Sequence, residues 1–249
     1  MAIFIKNNEQ IAKMRKAGAI VAKTLGVLEG MIREGVTTGA LNDAADAYIR
    51  SQNAFPSFLN YDGFPKSVCV SINDQVIHGI PGIRRLKTGD IVSIDIGACF
   101  EGFHGDAART FIVGETSEDN ARLVKAAEES FFGGIKLARQ GTYLHEISAE
   151  IAFHLEKYGF SAVRDYVGHG IGKKVHEAPQ IPNYRMNTRG PRLAKGMTLA
   201  IEPMVNAGTH EVIRLADGWT VVTKDKKFSA HYENTILVTD GEPEILTIL

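Results

Sequence analysis

Five residues carry the chemistry this sequence offers: Asp95, Asp106, His169, Glu202 and Glu233. Each sits in a short apolar segment, several of them bracketed by glycine: GDIVSIDIG, FHGDAARTF, GHGIG, TLAIEPMVN and SAHYENTI. Four carboxylates at positions where a core strand wants Val or Ile would repel one another and cost several kcal/mol each to desolvate. Bound cations remove that cost. Five donors, mostly carboxylate, exceed what one zinc takes and suit a two-metal site. The set points to a metallohydrolase.

Asp95 and Asp106 flank Cys99-Phe100-Glu101-Gly102. With Phe100-Glu101 as a two-residue hairpin loop they would face one another directly, with Cβ atoms about 4.5–5.5 Å apart. That pairing is destabilising unless a metal pair lies between them. The simpler alternative, one surface Asp and one turn Asp, is disfavoured by the apolar flanks Ile94, Ile96, Phe111 and Ile112. A lone histidine between glycines, such as His169, is more often structural, but His176 follows in KKVHEAPQ and raises the functional reading. Glu202 and Glu233 each stand where a strand wants a core residue; a surface-facing Glu explains either alone, not the whole set. His231, two residues before Glu233, shares its face on a strand and so approaches the same site, without being counted among its ligands.

The elements that must position these residues repeat. Apolar positions Ile11, Met14, Gly18, Val21, Leu25, Leu28 and Ile32 predict a helix over 7–34 closed by Gly35. Thr37 and Thr38 offer N-caps for a second helix, and strand-like runs follow at 67–72, 91–100 and 106–113. The pattern then restarts. Ser117 opens a helix ending at Gly141, Thr142 caps another ending at Gly159, and strands resume at 198–205, 211–215, 219–223 and 231–238. Arg33-Glu34-Gly35 and Arg139-Gln140-Gly141 precede the second helix of each set at an offset of 106 residues. We read an internal duplication: one fused α+β domain over 1–249, with halves of roughly 1–115 and 116–249 and the acids between them.

Composition excludes other classes. A net charge of -1 gives no global field to recruit DNA or a membrane surface. The basic stretches Arg185 to Lys195 and Lys224 to Lys227 sit among Gly, Pro, Asn and Thr and read as solvated loops, the first being the one place an RNA-rich partner could dock. Cys69 and Cys99 form no CxxC pair, which argues against a disulfide framework or a cysteine zinc finger. No signal peptide or bilayer-length apolar run is visible, so the cytoplasm is the expected location.

The motifs NDQVIHGIP, GDIVSIDIG, GFHGDAARTF, GHGIG, HEAPQIPNY and GMTLAIEPMV, with the Glu233 strand, resemble the type I methionine aminopeptidases of bacterial type, without an N-terminal extension, over almost the whole chain. The resemblance implies the pita-bread fold: duplicated helix-helix-strand halves with pseudo-two-fold symmetry and a curved antiparallel sheet covered by helices. It implies two divalent ions, with Asp95 bidentate to one, His169 on the other, Asp106 and Glu233 bridging, and Glu202 both ligand and proton shuttle. It implies attack on the first peptide bond by hydroxide generated at the metal pair, with His176 donating to the carbonyl oxygen and His78 hydrogen-bonding the following amide nitrogen. Tyr61, Phe64, Cys69 and Trp219 match the family's methionine pocket, and rings with a thiol suit a thioether. A closed pocket wall restricts the second substrate residue to small side chains. Asn73, Ser229 and the Gln75 carbonyl match a monovalent-cation site in some relatives.

Expected partners are nascent polypeptide N-termini with transient ribosome contact, met by a monomer. The chain begins Met1-Ala2, so it is expected to process its own N-terminus. Four positions depart from many relatives: Phe58 replaces Cys, Asp62 replaces His, Val175 replaces Phe and His231 replaces Gln. His104 supports the site or finishes a turn; His145, His154 and His210 receive no role. An Xaa-Pro peptidase would carry an extra N-terminal domain, and a type II enzyme a helical insertion that the intervals of 26 residues from His176 to Glu202 and 31 from Glu202 to Glu233 leave no room for. A non-catalytic relative would have lost ligands. One imidazole and four carboxylates suit Mn or Fe(II) at least as well as Zn or Co.

Overall fold

The computed structural model describes residues 2–248, so Met1 of the Met1-Ala2 pair lies outside the described residues. Helix α1 (Asn8–Glu29) opens with a capping box in which the Asn7 side chain accepts from the Gln10 N–H and the Gln10 side chain accepts from the Asn7 N–H. It stops well before Gly35. From there the chain is taken by another segment: Gly35 N–H donates to the Leu86 carbonyl at 2.8 Å and Leu86 N–H to the Val36 carbonyl at 2.8 Å. Helix α2 (Thr38–Ser51) follows, capped by the Thr37 hydroxyl.

The second half repeats this wiring. Helix α3 (Glu118–Ile135), capped by Ser117, ends six residues before Gly141, because Gln140 and Gly141 N–H donate to the carbonyls of Thr239 and Leu193, both at 2.9 Å. Helix α4 (Leu144–Tyr158) is capped at Tyr143 rather than Thr142: the Tyr143 N–H donates to Glu146 Oε1. Tyr143, not Thr142, is the counterpart of Thr37, and the two junctions share most of their backbone bonds. Gly35 and Gly141 both take left-handed φ, +86° and +94°, and accept from Arg85 Nη1 and Arg192 Nε. Thr37 bridges Arg85 as Tyr143 bridges Arg192. One apolar core packs α1 and α2 under the first-half strands, through Val21, Leu28, Leu41, Ile49, Val70 and Ile94; another packs α3 and α4 under the second-half strands, through Leu123, Phe131, Ile147, Leu199 and Ile236.

Among the described residues the ladders are antiparallel and form four hydrogen-bonded groups. In the first half, Ile91–Phe100 pairs with Val68–Ile72 on one side and with Phe103–Ile112 on the other. The hairpin turn is Glu101-Gly102, at φ +47° and +78°, the double left-handed geometry of a tight turn. That corrects the expected loop by one residue. Asp95 therefore faces Ala108, and Asp106 faces Gly97, which puts the two acids diagonally on one face instead of directly opposite. In the second half, Asn234–Leu237 pairs with Thr198–Ile201, which pairs with Gly168–Gly170.

The halves join in several places, through the pairing of Gln75–Ile77 with Val221–Thr223 among others, and one seam builds the centre. Ala108 and Glu233 exchange both backbone hydrogen bonds, at 3.3 and 3.0 Å, and Thr235 Oγ1 accepts from the Asp106 N–H while donating to its carbonyl. Gly97, directly opposite Asp106, has Ser57 and Phe58 lying where a side chain would go: a Cβ there would stand 2.8 Å from Phe58 Cε1. Gly97→Val is expected to displace Phe58 and destabilise the protein by about 1–3 kcal/mol, read as a lower urea midpoint with unchanged slope. A midpoint equal to wild type would mean that Phe58 does not seat on Gly97.

Candidate metal centre

Register across the joined strands builds the centre. One transverse row runs Cys69, Asp95, Ala108, Glu233. Glu202 extends it: the pairs Met204 with His231 and Asn234 with Ile201 bracket a short break on each strand, so Glu202 lies opposite Glu233. Glu202 and Glu233 thus sit at interruptions between strands, not inside them as expected, and Pro203 cannot donate to the ladder there. The neighbouring row runs Gly97, Asp106, Thr235, Ala200, His169. Residues opposite one another share a face, and so do residues two apart on a strand, so all five predicted side chains emerge together. Gly97, Ala108 and Ala200 leave the space between them clear.

The electrostatics match the sequence argument. Asp106, His169 and Glu233 are buried, and Asp95 and Glu202 nearly so. Desolvation is the largest cause that raises each carboxyl, carrying Asp95 to about 7 and Glu202 to about 8. Asp106 and Glu233 are pushed well above the usual carboxylate range by burial and then by the other acids. Burial lowers His169 to about 3, so its imidazole is neutral, with Nδ1 against the Gly170 carbonyl at 2.9 Å and Nε2 facing Glu202 Oε1 at 3.5 Å. Oxygens of Asp95, Asp106 and Glu233 are buried without any hydrogen-bond partner. Ligand atoms of Asp106, His169 and Glu233 lie within 4.8 Å of one another, as do those of Glu202, His231 and Glu233. Orphaned carboxylate oxygens converging with neutral imidazoles are what hard-to-borderline divalent cations require.

A cleft of about 210 Å³ opens onto this face. Tyr61, Phe64, Cys69, His78, His176 and Trp219 all line it, with Phe58 and Asp62. Phe58, Phe64, Cys69 and Val175 form an apolar cluster separate from the two main cores, flanked by Tyr61, Ile80 and Trp219. The Tyr61 hydroxyl meets His176 Nδ1 at 2.8 Å. His78 holds a left-handed φ of +58°, a conformation costing about 1–3 kcal/mol in a non-glycine residue and typical of functional positions. Its ring lies edge-on to Tyr166 and Trp219, and burial lowers it to about 4.

Other predicted residues lie elsewhere. Asn73, Gln75 and Ser229 do not line the cleft. The Ser229 N–H donates to the Asn73 carbonyl, the Ser229 hydroxyl faces Val205 O and Asn206 Oδ1, and the Asn73 side chain is held by Asp90 and Ile91. His104 pairs with the Ser57 hydroxyl at 2.8 Å. Sequence reasoning missed Arg109, whose Nη1 donates to the Glu233 carbonyl at 2.6 Å and whose guanidinium stacks 4.2 Å over Tyr232. Its signal was an arginine inside the strand run DAARTFIV. Tyr166 and Ile80 were also missed, and nothing in their local sequence marks them.

Fold and centre together define a metal-dependent hydrolase built on two similar halves. The model of metallopeptidase family M24 matches residues 12–240. A methionine aminopeptidase of Clostridium perfringens is 54% identical over 99% of both chains, and methionine aminopeptidase 1 of Bacillus subtilis is 50% identical over 98% of this chain and 99% of that one. The crystal structure of methionine aminopeptidase from Thermotoga maritima superposes with a TM-score of 0.98 at 44% identity, covering 100% of both chains. An X-Pro aminopeptidase from the same organism covers 98% of this chain and 62% of its own at 21% identity and a TM-score of 0.78, a likeness of fold alone. The chain belongs to metallopeptidase family M24 and, within it, to the methionine aminopeptidases.

The raised carboxyls carry a pH signature. Unfolded Asp and Glu titrate near about 3.9 and 4.3, against about 7 and 8 for folded Asp95 and Glu202. Their contribution to stability is complete below about pH 4 and is lost as pH rises through 7 to 8. Chelated protein is therefore expected to lose Tm from about pH 4 to about pH 8 and to level off above that, while protein in excess Co(II) or Mn(II) holds its Tm across the upper part of that range. Parallel curves with and without metal would mean that these carboxylates do not meet the ion.

Proposed function

We propose that this chain removes N-terminal methionine from proteins and peptides whose second residue is small. The observation that carries the reading is the adjacency of two opposites: orphaned buried carboxylate oxygens on the cleft floor, and an apolar slot of Phe58, Phe64 and Cys69 directly beside them. Asp95, Asp106, His169, Glu202 and Glu233 hold two divalent ions, of the Co, Mn, Fe(II) or Zn type. Such ions supply Lewis-acid polarisation and make water a usable nucleophile near neutral pH.

The protein's own groups do the rest. Cys69, Phe64, Tyr61 and Trp219 receive the methionine side chain, the thiol and rings matching a polarisable thioether. Glu202 takes the proton from the attacking water and passes it to the leaving amide nitrogen as the C–N bond breaks. The Tyr61 hydroxyl donates to His176 Nδ1, which leaves His176 Nε2–H to donate to the scissile carbonyl as negative charge develops on its oxygen. His78, kept neutral by burial, accepts from the N–H of the second residue.

A monovalent cation beside Asn73, Gln75 and Ser229 belongs to the same reading, and with those side chains engaged elsewhere it rests on carbonyl oxygens. We read the natural substrates as nascent chains, met in the cytoplasm by a monomer in transient contact with ribosomes. Among the described residues no helix is long and apolar enough to cross a membrane.

Metal-reconstituted protein is expected to release Met from Met-Ala-Ser and not from Met-Lys-Ser, and Glu202→Gln to lower kcat by about 100-fold or more. Proline-directed cleavage, or no cleavage with any divalent metal, would overturn the reading.

A further inference from the structure

One buried imidazole beside the acids of the centre has no place in that mechanism. His231 ends the strand Ser229–His231, is 1% exposed, and its Nε2 has no hydrogen-bond partner. It points at two acids of the centre, with Nε2 3.6 Å from Glu202 Oε2 and 3.9 Å from Glu233 Oε2. Both separations exceed the 2.7–3.2 Å of a protein hydrogen bond. They suit donors sharing one cation, which at metal–ligand distances of about 2.0–2.2 Å stand roughly 3 to 4 Å apart. The Glu202 carboxylate is bracketed by imidazoles, Oε1 facing His169 Nε2 at 3.5 Å and Oε2 facing His231 Nε2.

The imidazole is also held in place. Thr110 Oγ1 accepts from the His231 N–H at 2.8 Å and donates to its carbonyl at 2.9 Å, fixing the backbone from the opposite half of the molecule. Met204 pairs with His231 across the ladder on the other side. A buried side chain on a backbone pinned from both flanks, aimed at two carboxylates, has one unmet requirement, an electrophile for its free nitrogen.

We propose that His231 is a sixth protein ligand of the centre, binding a divalent cation through Nε2 together with Glu202 and Glu233. This rests on the reading of those two glutamates as metal ligands. A second imidazole makes the donor set softer than one histidine with four carboxylates and moves its preference from Mn(II) toward Co(II) and Zn(II).

Proton NMR of the Co(II)-loaded full chain tests this, because each histidine bound to Co(II) through Nε2 leaves one exchangeable, strongly shifted Nδ1–H signal. Wild type is expected to show two such signals, from His169 and His231. His231→Gln, folded by circular dichroism, should keep one and bind Co(II) about tenfold more weakly or worse, with a smaller loss for Mn(II). One signal in wild type, or two surviving in His231→Gln, would overturn the assignment while leaving the metal centre intact. No shifted signal at all would overturn both this assignment and the centre it rests on. The wild-type count decides even if the variant fails to fold.

Discussion

The structure depends on a repulsion that it must hold in place. Asp95, Asp106, Glu202 and Glu233 leave one face of a joined sheet with little access to water, and Glu202 raises the proton affinity of the other three. Among the described residues no lysine or arginine forms an ion pair with them; the Arg109 guanidinium grips the Glu233 carbonyl and the Asn234 side chain instead. A protein can keep such a cluster only by binding cations there or by protonating it. The rest of the architecture reads as the means of holding the acids close enough for the first option.

Those means are registers. The tight turn at Glu101-Gly102 fixes which residue of one strand faces which of the next, so Asp95 and Asp106 come out on one face with Gly97 and Ala108 between them. The backbone exchange between Ala108 and Glu233 then carries that face across the seam between the halves. A shift of one residue at this seam would send Glu233 to the other face. Thr110, Thr235 and Arg109, all bonded across the same seam, lock it. The duplicated junctions at Gly35 and Gly141 serve the same end at a distance, turning each helix pair back over its strands.

Much of this was legible in the sequence because charge in an apolar run is a local signal. The four acids and their imidazole, the slot residues and the repeat of helix, helix and strands could be read directly. What failed shows where local signals end. The first and third helices were drawn too long, since apolar spacing continues past Glu29 and Ile135 while backbone bonding to Leu86, Thr239 and Leu193 takes the chain away. The hairpin loop was misplaced by one residue because Glu101 occupies a left-handed position that glycine or asparagine usually marks. Strands of two or three residues, such as Gly168–Gly170, carry too few positions for a period to show. Arg109 and Tyr166 act through partners distant in sequence, which no window around either residue reveals.

Whether cations occupy the acid face is the question on which this architecture turns. Anomalous diffraction from crystals grown with Co(II) or Mn(II) measures this without reference to turnover. Two peaks about 3.5–4 Å apart, both shared by Asp106 and Glu233, are the predicted result. An acid face occupied only by water, with the carboxyls hydrogen-bonded to one another, would contradict the claim that cations are what make this cluster tolerable.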